Sequence, residues 1–258
     1  MKRSLAPAWI TILVIIFFYI PTLTLVIQSF NSAKYGGAWQ GFTLDWYRKL
    51  MHEREVWRAV QNSLWVAAYS TLGATVLGTL GAWMLNRYRS KLQHAHYTLM
   101  YAPLMVPEIL MGISLLMFFV NLGLPLGLPT IILAHITFCV SYVCFTVMGR
   151  LQDFDESLIH AAQDLGARWP VIIWKILLPL LGPGILAGAL LAFTLSIDDF
   201  VITFFTSGPG STTLPVYIYS AIKKGSLATI NALSVLMMLI TFTIVLVSNH
   251  FINRRDGV

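Results

Sequence analysis

Three carboxylates in this chain stand where carboxylates are costly. Glu108, Asp198 and Asp199 fall within or at the edge of long apolar runs, whereas none of the seventeen lysines and arginines lies deep in one. On insertion scales, a carboxylate at the centre of a membrane helix costs about 2.5–3.5 kcal/mol. Three such groups without basic partners on neighbouring runs point to a cationic ligand. A flexible chain of two or more ammonium groups fits, because each ammonium can meet a carboxylate and an aromatic face. Successive helical residues diverge by about 100°, so Asp198 and Asp199 cannot face the same way. Asp199 lies three residues after Ser196 and extends a face of small residues, which favours it slightly over Asp198 as the ligand-facing group. Glu108 follows Pro107 and should sit at a frayed helix start that water can reach. For each acid the alternative is a protonated, hydrogen-bonded group with a purely structural part.

The elements that must hold these acids are membrane spans. Of 258 residues, 57% are apolar and only 11% charged, against about 25% charged in soluble domains. Six runs are long enough to cross roughly 30 Å of hydrocarbon: residues 5–27, 60–85, 97–122, 129–148, 176–205 and 230–251. The expected fold is therefore an all-α integral membrane domain covering 1–258. The first run follows Lys2 and Arg3 but is too long for a signal peptide and has no small-x-small cleavage site, so it reads as a retained span. Basic residues near span ends, notably Arg87, Arg89 and Lys91 in a short hairpin, favour both termini in the cytoplasm. The net charge of +6 fits that orientation and contact with anionic lipid rather than nucleic acid.

Small residues recur at every fourth position on two runs: Ser70, Ala74, Gly78 and Ala82, then Gly184, Gly188, Ala192 and Ser196. Such faces let membrane helices approach closely, either inside the domain or against a second subunit. Prolines at 103, 107, 125 and 129 interrupt or bound the third and fourth runs. They free backbone carbonyls, tolerated at depth only where protein or water covers them. Cys139 and Cys144, five residues apart on one helix, suit neither a disulfide nor a metal site.

Between the fourth and fifth runs lies a polar segment, about 149–179, with its own amphipathic helix: RLQDFDESLIHAAQDLGARWPVIIWKILLP. Asp153 with Glu156 reads as a capping box, and Asp155 capping through Ser157 is the alternative. The helix should run to about Leu165 and stop at Gly166. Ala161 and Ala162 would allow another surface to approach its backbone.

This segment resembles the EAA loop of permease subunits of ATP-binding-cassette importers, at Ala161, Ala162, Gly166, Leu178 and Pro179, with His160 in place of the family's glutamate. Further stretches resemble the spermidine/putrescine permeases of the PotC type: SFNSAKYGGAWQGFTLDWY, VPEILMGISLL, HITFCVSY, AAQDLGA and LAFTLSIDDFVITFFTSGPGSTTLP. The resemblance implies a six-span type I importer fold in a bacterial inner membrane. It also implies a second homologous permease (PotB-like), two ATPase subunits (PotA-like) that bind ATP and Mg, and an extracytoplasmic polyamine-binding protein (PotD-like). In this family the loop, here carrying His160, Ala161, Ala162, Asp164, Gly166, Leu178 and Pro179, docks into the ATPase, coupling residues 153–179 to alternating access. Trp39, Trp46, Tyr47 and Trp57 could touch the binding protein or anchor at the interface.

The chain itself carries no GxxxxGK[ST] loop, HExxH or serine-nucleophile pattern, so it is expected to be non-catalytic and without a cofactor of its own. Adjacent aspartates diverge too far for an intramembrane aspartyl protease. A stand-alone secondary transporter would leave the docking segment unexplained and shows no convincing internal repeat.

Overall fold

A computed structural model describes residues 6–87, 91–152 and 154–255, with side chains over 9–87, 91–152 and 154–243. Apart from an isolated bridge between Asn31 and Phe42, the regular structure of the described residues is helical. In order these are α1 (Ala6–Ser29), α2 (Asp45–His52), α3 (Arg54–Arg87), α4 (Gln93–Met105), α5 (Glu108–Asn121), α6 (Leu128–Gln152), α7 (Ser157–Asp164) and α8 (Trp169–Ile172). A π turn, Ile173–Leu177, carries α8 into α9 (Leu178–Asp198), followed by α10 (Val201–Thr206), α11 (Leu214–Lys223) and α12 (Leu227–Arg255). Two compact units result, one of Trp57–Val216 and one of the residues before and after it.

Four described stretches are long and apolar enough to cross a membrane: Trp9–Ser29, Arg54–Arg87, Leu128–Gln152 and Trp169–Asp198. A bent pair, α4 with α5, would make a fifth, and α12 is apolar over Leu227–Thr243. Two of the expected runs are not continuous helices. The run 97–122 bends by 110° between α4 and α5, because Pro107 disfavours helical backbone at Val106, which is extended at ψ 129°. The run 176–205 starts earlier, at Trp169, and breaks after Asp198.

In the unit that holds both chain ends, α1 and α2 pack on α12. Large apolar side chains of α1 such as Phe17 and Phe18 remain exposed, as suits a helix surrounded by hydrocarbon. Asn31 organises the polar segment after α1. Its Oδ1 accepts from the Ala33 and Gln40 N–H groups at 3.2 and 2.9 Å, and its Nδ2 donates to Ala38 O at 3.1 Å. Trp46 Nε1 donates to Asn31 O and Tyr47 Oη meets Ser29 Oγ, so these two rings are partly buried in the segment. Trp39 and Trp57 are exposed.

In the Trp57–Val216 unit, α6 is the central post. A methyl added at Gly78 of α3 would lie 2.7 Å from Val143 Cβ, and one at Gly188 of α9 would lie 3.2 Å from Val143 Cγ1. Both small-residue faces are thus consumed inside the domain, against α6 from two sides, rather than left for a second subunit. Cys139 and Cys144 are free and buried in the same core.

Candidate functional site

α9 ends and α10 begins without a proline or glycine between Ser196 and Thr206. Asp199 makes the break. Its backbone is extended at φ −62°, ψ 127°, and its carboxylate turns forward to cap α10. Oδ1 accepts from the Ile202 N–H at 3.3 Å, and Oδ2 accepts from the Thr203 N–H and Thr203 Oγ1, each at 2.8 Å. Asp is among the strongest capping residues for this reason.

A histidine on α6 then fixes the cap. His135, 1% exposed, places Nε2 at 3.2 Å from Asp199 Oδ2 and 2.9 Å from Thr203 Oγ1, with Nδ1 at 2.7 Å from Ser196 Oγ. A carboxylate cannot donate, so the Thr203 hydroxyl donates to Asp199 and both neighbours of Nε2 are acceptors. Nε2 therefore carries a proton. Asp199 has a basic partner after all, contrary to the expectation from lysine and arginine alone. Its side chain is 4% exposed and both oxygens are engaged, so of the two neighbours Asp199 is the buried one and Asp198 the exposed one. The overlooked signal was legible: His135 lies in the middle of the apolar run 129–148, and ionisable residues inside spans rarely go unpartnered.

Asp198 is exposed, at the last residue of α9. A helix C-terminus concentrates the negative ends of the peptide dipoles, so a carboxylate there is disfavoured by its own helix and stabilised by a cation. Glu108 is exposed as well, in the first turn of α5, where the dipole favours it. The helices that bear these breaks meet. α5 packs on α10, where a methyl added at Gly112 would lie 2.8 Å from Phe205 Cδ2, and both contact α6. A crevice of about 450 Å³ beside the α4–α5 break is lined mostly by apolar side chains, including Pro103, Val106 and Phe118.

The loop segment 154–179 has a small core of its own. Ile159 and Ala162 of α7 pack against Ile172 and Leu177. Ala162 therefore faces inward, and of the two alanines only Ala161 lies on the open face, with His160 and Asp164. α7 stops as expected at Gly166, at φ +78°, with Gly166 N–H donating to Gln163 O and Ala167 N–H to Ala162 O, the two bonds of a Schellman end. Pro179 is exposed and Leu178 half-buried. The π turn before them follows from Pro179, which lacks an N–H and crowds the carbonyl four residues earlier.

At the start of α7, Asp155 Oδ1 accepts from the Ser157 N–H at 2.9 Å. Hydrogen bonds from Ser157 hold the Asp155 carboxyl below its ordinary value. Asp153 lies outside the described residues. Glu156 pairs with Arg87 at the end of α3, Nη1 to Oε2 at 2.8 Å, a contact 69 residues apart in sequence that spacing could not indicate.

Residues 74–255 match the family described as the binding-protein-dependent transport system inner membrane component. The chain belongs to that family. It is a membrane transport subunit and not an enzyme. It is 41% identical over 232 residues to the spermidine/putrescine transport system permease protein PotC of Escherichia coli (strain K12), covering 90% of this chain and 88% of that protein. It is 42% identical over 229 residues to the putrescine transport system permease protein PotI of the same organism, with 86% and 82% covered. Among solved structures, a bacterial alginate ABC transporter in complex with an alginate-bound periplasmic protein gives a TM-score of 0.74 at 20% identity, covering 100% of this chain and 97% of that one. An inward-facing methionine transporter gives 0.62 at 18% identity, with 82% and 98% covered. At such identities these two share the fold.

Proposed function

We propose that this chain is a polyamine permease subunit of an ATP-driven importer of the bacterial inner membrane. Six spans, with the bent α4–α5 pair as one and α12 as the last, would place both termini in the cytoplasm. The observation that carries the substrate class is Asp198, exposed at the C-terminal end of an interrupted helix, with Glu108 at the neighbouring interruption. Two separated carboxylates, one at a negative helix end, suit a flexible chain with an ammonium near each. Relatives named for spermidine and putrescine support the same class.

A second permease of the same family would complete the pathway, and a soluble binding protein would deliver the solute from outside. Two ATPase subunits would bind ATP and Mg. The open face of α7, with His160, Ala161 and Asp164, would sit in a cleft of one of them, together with the Gly166 turn and the Leu178–Pro179 exit. Closure of the ATPases would draw on α7, and through the π turn on α9, which carries Asp198. His160 offers ring nitrogens that can donate or accept a hydrogen bond.

The test is uptake of labelled spermidine and putrescine by the assembled complex in liposomes, with ATP on the ATPase side. Uptake that depends on ATP and falls in Asp198→Asn and in Glu108→Gln supports the reading. Uptake unchanged in both variants removes the carboxylate pathway. Failure of both polyamines in a complex that still hydrolyses ATP removes the polyamine class.

A further inference from the structure

We infer that His135 is the positioning residue of the transport pathway: through Asp199 it holds open the break between α9 and α10 and so presents Asp198 at a helix end. The inference rests on the proposed role of Asp198 and adds a residue which that role does not itself require. Nothing local obliges the chain to break here. The sequence SIDDFVITFFT has neither proline nor glycine, and its apolar pattern continues across the break, so a straight helix from α9 into α10 is the competing conformation. Asp199 favours the break by capping α10, but its cap alone is a local preference. The imidazole makes the preference specific, because it bonds both sides of the interruption from a third helix. Nδ1 meets Ser196 on α9, and Nε2 meets Asp199 and Thr203 on the α10 side.

In a continuous helix, Asp199 could not keep its extended backbone or its bonds to the Ile202 and Thr203 N–H groups. Nε2 would then lose its carboxylate, and the buried imidazole would be left partly unsatisfied. Asp198, in turn, would become an interior helical residue and lose its position beside the terminal carbonyls. His135 thus acts on the solute only through Asp199 and the backbone of Asp198. Its own ring, 1% exposed, is closed to the pathway.

The test reads the backbone at 198 independently of any substrate. In the complete transport complex, with Cys139 and Cys144 replaced by alanine, Asp198→Cys introduces a single thiol whose labelling rate by a cationic, membrane-impermeant thiol reagent is measured. Adding His135→Leu should slow labelling about five- to thirtyfold, the change expected when one or two buried hydrogen bonds no longer bias the break. His135→Gln, which restores a donor near Nε2, should recover most of that rate. In the chain that keeps Asp198, spermidine uptake should fall with His135→Leu and return with His135→Gln.

Labelling unchanged by His135→Leu overturns the inference, whatever uptake does. Slowed labelling with normal uptake leaves the positioning intact and removes Asp198 from the pathway, so the two readings fail separately. Should His135→Leu prevent assembly, Thr203→Val decides: it keeps shape while removing the hydroxyl bonded to Asp199, and it should slow labelling in the same direction. A Thr203→Val complex that labels at the parent rate overturns the inference equally.

Discussion

Between α4 and α5 the chain turns by 110° at Val106–Pro107, and between α9 and α10 it breaks at Asp199–Phe200 with no such residue to force it. The first break is covalent in origin. Pro107 lacks an N–H and disfavours helical backbone at Val106, so the local chain itself favours a stop there. No side chain caps the helix that follows. The second break is held by contacts: one buried aspartate, two backbone N–H groups, a threonine and a histidine from another helix. A break favoured by proline carries its bias in the local chain, whereas one made by tertiary bonds depends on contacts that can be lost and remade. Both leave an acid exposed beside them, Glu108 at a helix start and Asp198 at a helix end.

The sharpest way to break this contrast is Asp199→Leu. It leaves His135 and the first N–H groups of α10 without their acceptor in a buried site, and removing one partner of such a pair costs about 3–5 kcal/mol. The thermal midpoint of the purified complex should fall accordingly, and an unchanged midpoint would mean that the α10 cap is not held by this network. Gly112→Val comes next, because it strikes where the helices of the two breaks meet. The added carbons have no room against Phe205, and overpacking of this kind costs about 1–3 kcal/mol. Gly112→Ala, with fewer atoms, should cost less in the same unfolding assay.

Pro107→Ala should do little to stability. The bend already exists in the folded chain, and the substitution mainly returns freedom to the unfolded one, worth about 0.4–1 kcal/mol. A loss comparable to that of Asp199→Leu would show that the first break also depends on its surroundings.

The smallest effects lie in the loop segment around α7, which shares neither break. The Arg87–Glu156 pair is partly exposed and should contribute about 0–1 kcal/mol, as such pairs do. Its value would appear in ATP hydrolysed per solute moved, rising with Arg87→Glu and returning when Glu156→Arg is added. Asp155 has a folded-state value below its ordinary 3.8, so its bond to Ser157 stabilises α7 above that value and is lost as pH falls through the lower, folded one. Proteolysis of the segment should therefore quicken in Asp155→Ala at neutral pH, and acid should narrow the difference from the parent.

How far the sequence reached differs by feature. The Gly166 stop was readable because a left-handed residue ends a helix by its own backbone freedom, and the Pro107 break was signalled by the ring itself. The small faces at 70–82 and 184–196 were visible as stripes, but not what they face, since a stripe records only that something comes close. Asp199 and Asp198 were distinguishable as diverging neighbours. Which of them is buried depended on His135, 64 positions earlier, and on where α6 passes. Likewise the pairing of the Glu156 carboxylate with Arg87 could not be read from local spacing.

By itself the sequence determined the properties that are local or additive: apolar length sufficient for membrane spans, an amphipathic loop helix with its stop, the proline break, and acids too costly to bury without cause. The tertiary structure alone decided which acid is sealed inside and which is presented, and that a proline-free run breaks at all. The physical reason is that burial and hydrogen-bond satisfaction belong to pairs of residues brought together by packing. Here a single imidazole on α6 holds the ends of two helices that the sequence alone reads as one.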